Sequence, residues 1–443
     1  MSLKEQLAKQ TGIGLLIMGF STFFAAISFF LISRILEREE IAYIGIAAGL
    51  LAMLSPILLS PEVILFRDYA AFKKNTNKYV SAFLFFWLVR SIFIMGVISV
   101  ISYLLYAKDN FQLFLYVVGA GLIMCFSMLH ASIQELCFVE FKQVETLRLN
   151  FIYYAIFLVG LIYIYFNRDI MIYLVVLMLS SFALALLWLE RLFRVFRFVP
   201  VFDVRALETL LKTIISGVGM WSHLISSSIQ LIYRADLFFL GLFVTAFVTG
   251  NYTIALMFSS LFVFVPQVLQ KMCIAGLTRS VSKPEDMKIV NAFLKYTFVL
   301  SIIQVAGYVL LGKFIISFID AQNADSIFQL GLFLVIGTNI FNVIRPIHSY
   351  AFARANLKQL LVHVFLPAGI LAVIFYSVAA YAYGGLVTAQ ANVLVYVVLV
   401  LIYLRYAFSK MKFQLSLQWI TREEWLLLQK ILKRFHIRMD RSV

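Results

Sequence analysis

The sequence predicts an all-α polytopic membrane protein of about 12 transmembrane helices, arranged as two six-helix bundles related by a parallel pseudo-two-fold repeat. Three observations lead there. Hydrophobic residues make up 63% of the chain and charged residues 13%, and a mean hydropathy of +0.95 is far above that of a soluble protein of this size. The apolar segments run 18 residues or more without the period-two alternation of barrel strands, and only helices or closed barrels satisfy every backbone group in lipid. The longest segment between spans follows the sixth and divides the chain six plus six.

In chain order the predicted spans are 11–33, 41–66, 79–106, 113–139, 149–166, 170–189, 213–243, 250–270, 289–311, 327–352, 360–382 and 386–404. The first has too long an apolar run for a cleaved signal peptide, so it is expected to remain as span one. The alternate loops that would lie outside hold five of the 37 basic residues, which places both termini in the cytoplasm. The net charge of +15 is therefore a topology signal and implies no nucleic-acid partner. Cys125, Cys137 and Cys273 all fall within spans and read as small apolar fillers. Metal-ligand spacings, nucleophile elbows and glycine-rich phosphate loops do not occur, so neither a metal nor a cofactor is expected.

The expected organisation is an N-terminal six-helix bundle over 1–189, a cytoplasmic hinge loop over 190–212, a C-terminal bundle over 213–404 and a basic amphipathic cytoplasmic tail over 405–443. Weak self-similarity supports the repeat. Tyr43 and Pro56 recur as Tyr252 and Pro266, and "EFKQVETLRLNFIYYAIF" entering span five resembles "ARANLKQLLVHVFLPAGI" entering span eleven. An even number of spans per half makes the repeats parallel. Ser2 with Glu5, and Thr421 with Glu424, have capping-box spacing, and Asp203 is placed to cap a short helix before span seven.

Polar residues inside the spans carry the functional signal. An arginine or aspartate at the centre of a lipid-facing helix costs about 2.5–3.5 kcal/mol, so such residues are expected to face protein or a hydrated cavity. In span seven His223, Ser227, Gln230 and Arg234 fall at i, i+4, i+7 and i+11, a single helical face. Asp236 sits two residues on, roughly 200° round, and needs its own partner, for which Arg90 in span three is the candidate structural ion pair. Span ten repeats the spacing with Thr338, Asn342, Arg345 and Ser349, Pro346 standing beside the arginine. Span four carries His130 and Glu135, candidates for ion coupling. Against this stands the reading of every such residue as interhelical hydrogen-bond glue. A lumen lined by guanidinium, imidazole, amide and hydroxyl groups suits an anionic, hydroxyl-rich cargo.

The stretches "TFFAAISFFLISRILEREEIAYIGIAAGLLAML", "YRADLFFLGLFVTAFVTGNYTIALMFSSLFVFVPQVL" and "YGGLVTAQANVLVYVVLVLIYLRY" resemble the polysaccharide-transporter branch of the multidrug/oligosaccharidyl-lipid/polysaccharide (MOP) exporter superfamily, the Wzx-type flippases. That resemblance implies a V-shaped pair of bundles in the bacterial inner membrane. It implies alternating access that turns undecaprenyl-pyrophosphate-linked oligosaccharide from the inner to the outer leaflet, with membrane lipids and a polysaccharide polymerase or chain-length protein as partners. The alternatives are a MATE-like exporter of drugs or organic cations, which would carry buried carboxylates in its lumen, and a membrane polysaccharide polymerase or ligase, which would need a large external loop. The longest external loop here is "LGKFIISFIDAQNADS".

Overall fold

A computed structural model describes residues 3–58, 76–140, 142–216, 218–277, 280 and 282–414, and the regular structure among them is helical. Ten of the described helices are long and apolar enough to cross a membrane. Two further helices complete the expected set. Span one is Leu3–Ile35, apolar from residue 12 onward, and span seven is Val218–Phe243, 26 residues long and carrying the polar stripe. The side chains of the Ser2–Glu5 and Thr421–Glu424 capping boxes, and the tail beyond residue 414, lie outside the described residues.

The segment between spans six and seven holds the short helix that Asp203 is placed to cap. Span six continues to Val195, and a second helix, Val204–Ser216, follows. Asp203 caps it, accepting the N–H groups of Arg205 and Ala206 at 2.9 and 3.3 Å, while its other oxygen meets Lys78 Nζ at 2.9 Å. Leu210 and Ile214, one turn apart, bury against Tyr79, Ala82 and Phe83 of span three, Thr76–Ser102. A loop would have left those apolar side chains wet, and the helix gives them one face to bury.

The second span of each half is broken by a single 3₁₀ turn, Ser55–Ile57 in span two and Leu261–Val263 in span eight. Pro56 lies within the first and Pro266 just past the second, so the prolines that recur in sequence mark the same interruption. The recurring tyrosines also act alike. Asn110 Nδ2 donates to the Tyr43 hydroxyl at 2.8 Å, and the Tyr252 hydroxyl donates to Asp236 at 2.5 Å.

Span two, Arg38–Leu54, packs chiefly on spans seven and eight and less on span four, although it belongs to the first half of the sequence. Its glycines allow this. A methyl group at Gly49 would strike the backbone of Phe238 in span seven, and one at Gly45 would strike the Thr253 hydroxyl in span eight. From the other side, a methyl at Gly250 would strike the Arg38 carbonyl. Three glycines thus set the two halves at backbone contact along one end of the seam, which the basic-residue count assigns to the outside.

The same end is clamped by charge. Arg38 in span two donates from Nε and Nη2 to a single oxygen of Asp320, beyond span nine, at 3.0 and 2.7 Å. Its Nη1 donates to the Ser33 carbonyl at 3.0 Å. Asn323 Nδ2 donates to the same Asp320 oxygen at 2.7 Å, and the N–H groups of Gln322 and Asn323 take the other at 2.9 and 3.1 Å. Both side chains of the ion pair are 12% exposed, enough burial for it to weigh more than a surface pair. Burial pushes the Asp320 carboxyl up, but the hydrogen bonds from Asn323 and Arg38 outweigh it and hold the group below its ordinary value of 3.8.

Arg38→Ala or Asp320→Asn removes charge-assisted hydrogen bonds worth about 1.5–3 kcal/mol and should shift the population toward an open outer end. Spin labels at Asp109 and Gln322 would read it as a longer distance component in the variants. Because the folded pKa is depressed, the clamp is fully present above 3.8 and is lost only as pH falls through the lower folded value. Native distances should therefore not change between pH 7 and pH 5.

Candidate functional site

Inward of the seam lies a cavity of about 490 Å³, lined by span two, span four (Phe111–Val139) and span seven. Span seven supplies its polar wall. His223, Ser227, Gln230 and Arg234 all line it, so the face read from helical spacing is the face turned to the cavity. The opposing wall is apolar, with Ala48, Leu51 and Ala52 from span two and Met124 and Met128 from span four.

The four stripe residues divide by what they hold. Ser227 Oγ donates to the Ser55 carbonyl at 3.1 Å, and His223 Nε2 lies 3.3 Å from the Pro56 carbonyl and 3.3 Å from Ser227 Oγ. These two bind span seven to the 3₁₀ turn of span two, where the Ser55 carbonyl also accepts the Leu58 N–H at 3.0 Å. Gln230 is exposed to the cavity and Arg234 is half-buried. Neither makes a hydrogen bond or salt bridge to a described residue, although Asp236 attracts Arg234 through space. Arg234 sits one helical turn inward of Phe238, where span two touches the backbone, and so stands at the closed end of the cavity.

The stripe on span ten, Ala324–Arg354, is buried within the C-terminal half, and its helix runs unbroken through Pro346. Arg345 is 5% exposed, and each of its three nitrogens donates a hydrogen bond. It donates to Asn342 Oδ1 at 2.7 Å, to Gln270 Oε1 at 2.8 Å and to the Tyr233 hydroxyl at 3.0 Å, and its guanidinium lies 5.3 Å from the centre of the Phe341 ring. Ser349 donates to the carbonyls of Arg345 and Gln270 at 3.1 and 3.4 Å. Thr338 is buried beside them. None of the four lines the cavity below the seam. Arg234 and Arg345 therefore flank span seven on different sides, the adjacent Tyr233 facing the second.

The pairing of Arg90 with Asp236 is not formed. Asp236 is fully buried, accepting from the Tyr252 hydroxyl and, at 2.8 Å, from the Leu237 N–H. Arg90 lies on span three over the Phe86 ring at 5.5 Å. Span three packs on span four and the Val204–Ser216 helix, whereas Asp236 lies between spans seven and eight, so the carboxylate takes a phenol from its own half. Nearby, the Tyr376 hydroxyl donates to the Ile232 carbonyl at 2.9 Å and receives Asn392 Nδ2 at 3.1 Å. This tyrosine–asparagine cluster was invisible to a search for charges, and the recurring tyrosine at 252 was its only trace.

His130 on span four stands two residues past Met128, on the opposite face from the cavity lining. The side chain of Glu135 lies outside the described residues. The three cysteines are buried and free, and the described residues hold no cluster of metal-ligating side chains.

The geometry separates the two arginines by experiment. Arg345→Ala leaves Gln270, Asn342 and Tyr233 without their donor, at about 1–3 kcal/mol for each buried group left unpaired, and should lower the melting temperature by several degrees. Arg234→Ala removes no hydrogen bond and should melt with the native protein. Thermal unfolding of purified variants in one detergent checks both.

No protein-family model matches the sequence, and no curated protein matches it either. Solved structures do. The fold is similar to that of the lipid II flippase MurJ in an inward closed conformation, with a TM-score of 0.69 at 14% identity over 89% of this chain and 88% of that one. It is similar to a MATE transporter in the bent conformation, with a TM-score of 0.53 at 15% identity over 92% and 96% of the two chains. It is also similar to a MOP-superfamily transporter from Pyrococcus furiosus, with a TM-score of 0.51 at 16% identity over 91% and 95%. The chain is thus a polytopic helical membrane protein whose fold is similar to those of solved membrane transporters.

Proposed function

We propose that the protein is a flippase that carries a pyrophosphate-linked, lipid-anchored oligosaccharide from the inner to the outer leaflet of a bacterial inner membrane, with both termini in the cytoplasm. The observation that carries this reading is Arg234, a guanidinium on the wall of an intramembrane cavity with no hydrogen bond or salt bridge to a described residue. An arginine so placed is costly unless it serves a ligand, and its planar fork matches phosphate oxygens. Gln230 and Ser226, exposed on the same wall, offer amide and hydroxyl groups to a sugar. The lipid II flippase of similar fold acts on a lipid-linked cargo by its name, and the same cargo chemistry fits this cavity.

Moving the anion through hydrocarbon unaided would cost on the order of tens of kcal/mol, and a cationic lumen removes most of that barrier. The membrane potential, inside negative, adds about 2.3 kcal/mol per charge per 100 mV in the outward direction. Glu135 stands ahead of His130 for ion coupling, because a carboxylate can bind either a proton or a sodium ion. Export of organic cations is not favoured, because the described lining residues include an arginine and no carboxylate.

In proteoliposomes carrying a fluorescent lipid-linked sugar pyrophosphate, Arg234→Ala should lower the flipping rate by about 10- to 150-fold, the loss of a charge-assisted contact of about 1.5–3 kcal/mol. Arg234→Lys should recover part of it, since lysine keeps the charge without the fork. Unchanged transport by Arg234→Ala, or equal transport of a neutral analogue by the native protein, would refute the reading. An imposed pH or sodium gradient that alters the native rate and leaves Glu135→Gln unaffected would assign coupling to that carboxylate.

A further inference from the structure

A second cavity of about 490 Å³ opens on the outer flank of the N-terminal half, in the trough between spans one and five. Its bed is apolar: Ile17 and Phe20 come from span one, Phe151 and Tyr154 from span five, Gln143–Asn167. Phe24 deepens it, its ring parallel to that of Tyr154 with centroids 4.4 Å apart. Phe20 and Phe151 are exposed, so in a bilayer the trough faces acyl chains. Arg148 and Arg191 stand at one end. Arg148 is little more than one turn from the start of span five, and Arg191 is one turn from the end of span six at Val195. Both ends lie on the side that the basic-residue count assigns to the cytoplasm, which puts the guanidiniums at the depth of inner-leaflet headgroups.

The two arginines share one carboxylate. Glu145 Oε1 accepts from Arg148 Nη1 at 3.0 Å, and its Oε2 lies 3.5 Å from Arg191 Nη1. Glu190 lies 3.5 Å from Arg191 Nε but is taken more closely by Arg194, at 3.0 Å. Arg194 and Glu190 cancel, so Arg148, Arg191 and Glu145 carry one net positive charge. Each guanidinium presents five N–H donors, and Arg148, with its side chain 63% exposed, keeps most of them free.

We infer that this trough is a binding site for an acidic phospholipid of the inner leaflet, its phosphodiester on Arg148 and Arg191 and an acyl chain along Phe20, Tyr154 and Phe151. Charge selects the headgroup. One net negative charge neutralises the cluster, whereas a zwitterionic headgroup brings an ammonium that the cluster repels. Basic pockets between membrane helices on the cytoplasmic side hold anionic headgroups by this balance. The site is on the lipid-facing flank, away from the cavity of Arg234, and is independent of the cargo proposed for it.

The test uses the purified full-length protein in nanodiscs of equal parts phosphatidylglycerol and phosphatidylcholine, with retained lipid read by native mass spectrometry. Phosphatidylglycerol should be retained in preference. Arg148→Gln and Arg191→Gln should each lower that retention about fivefold, the effect of one basic residue beside an anionic lipid. Arg205→Gln, a cytoplasmic basic residue outside the trough, should leave it unchanged. Glu145→Gln should raise it, because the competing carboxylate is gone, and a merely structural role for the cluster would give a loss instead. Equal retention of the two lipids, a loss in Glu145→Gln, or preferential retention of an added lipid-linked sugar at the arginines would overturn the proposal.

Discussion

The closeness with which span two approaches spans seven and eight governs the rest of the molecule. At Gly45, Gly49 and Gly250 a side chain as small as alanine would collide with the facing helix, so the two halves meet at backbone distance along one end. In a bilayer, where lipid is as apolar as leucine, such contact is a main source of helix association. It seals one end without a plug. The Arg38–Asp320 ion pair lies at the same end, adding a charged lock to a seam held by van der Waals contact. Backbone packing is either made or lost, which suits a seam between two discrete states.

Below that seal the cavity is asymmetric. The C-terminal half supplies its stripe of histidine, serine, glutamine and arginine, and the first half supplies alanine, leucine and methionine. An amphiphile fits such a space, its polar group toward span seven and its apolar part toward spans two and four. Met124 and Met128 are flexible fillers able to accommodate varied shapes. The C-terminal half is also internally braced. Arg345 is tied to span seven through Tyr233 and to span eight through Gln270, and Asp236 to span eight through Tyr252, so the polar wall sits on a rigid body.

Much of this was legible in the sequence because membranes impose simple rules. Length and hydropathy marked the spans, and the i, i+4, i+7, i+11 spacing identified the face of span seven that lines the cavity. The same spacing on span ten described a real helical face but could not say what that face touched. Arg345 and Arg234 look alike in sequence, and only the partners Gln270, Asn342 and Tyr233 distinguish a braced arginine from one without hydrogen bonds. The seam also has a sequence signal: "GIAAG" at 45–49 is a small-x-x-x-small pattern, but spacing alone does not say which helix it meets. Asp236 was assigned a basic partner because a buried carboxylate invites one, yet a phenol already in its own half served at less desolvation cost.

The central claim is that the cavity holding Arg234 opens in turn to each side of the membrane. Gln230, exposed in the cavity beside that arginine, reports on it directly. In oriented vesicles a Gln230→Cys protein lacking its other cysteines should react with a membrane-impermeant maleimide from the cytoplasmic side at rest, and from both sides once lipid-linked sugar pyrophosphate is supplied. Reaction confined to one side while transport proceeds would contradict the account.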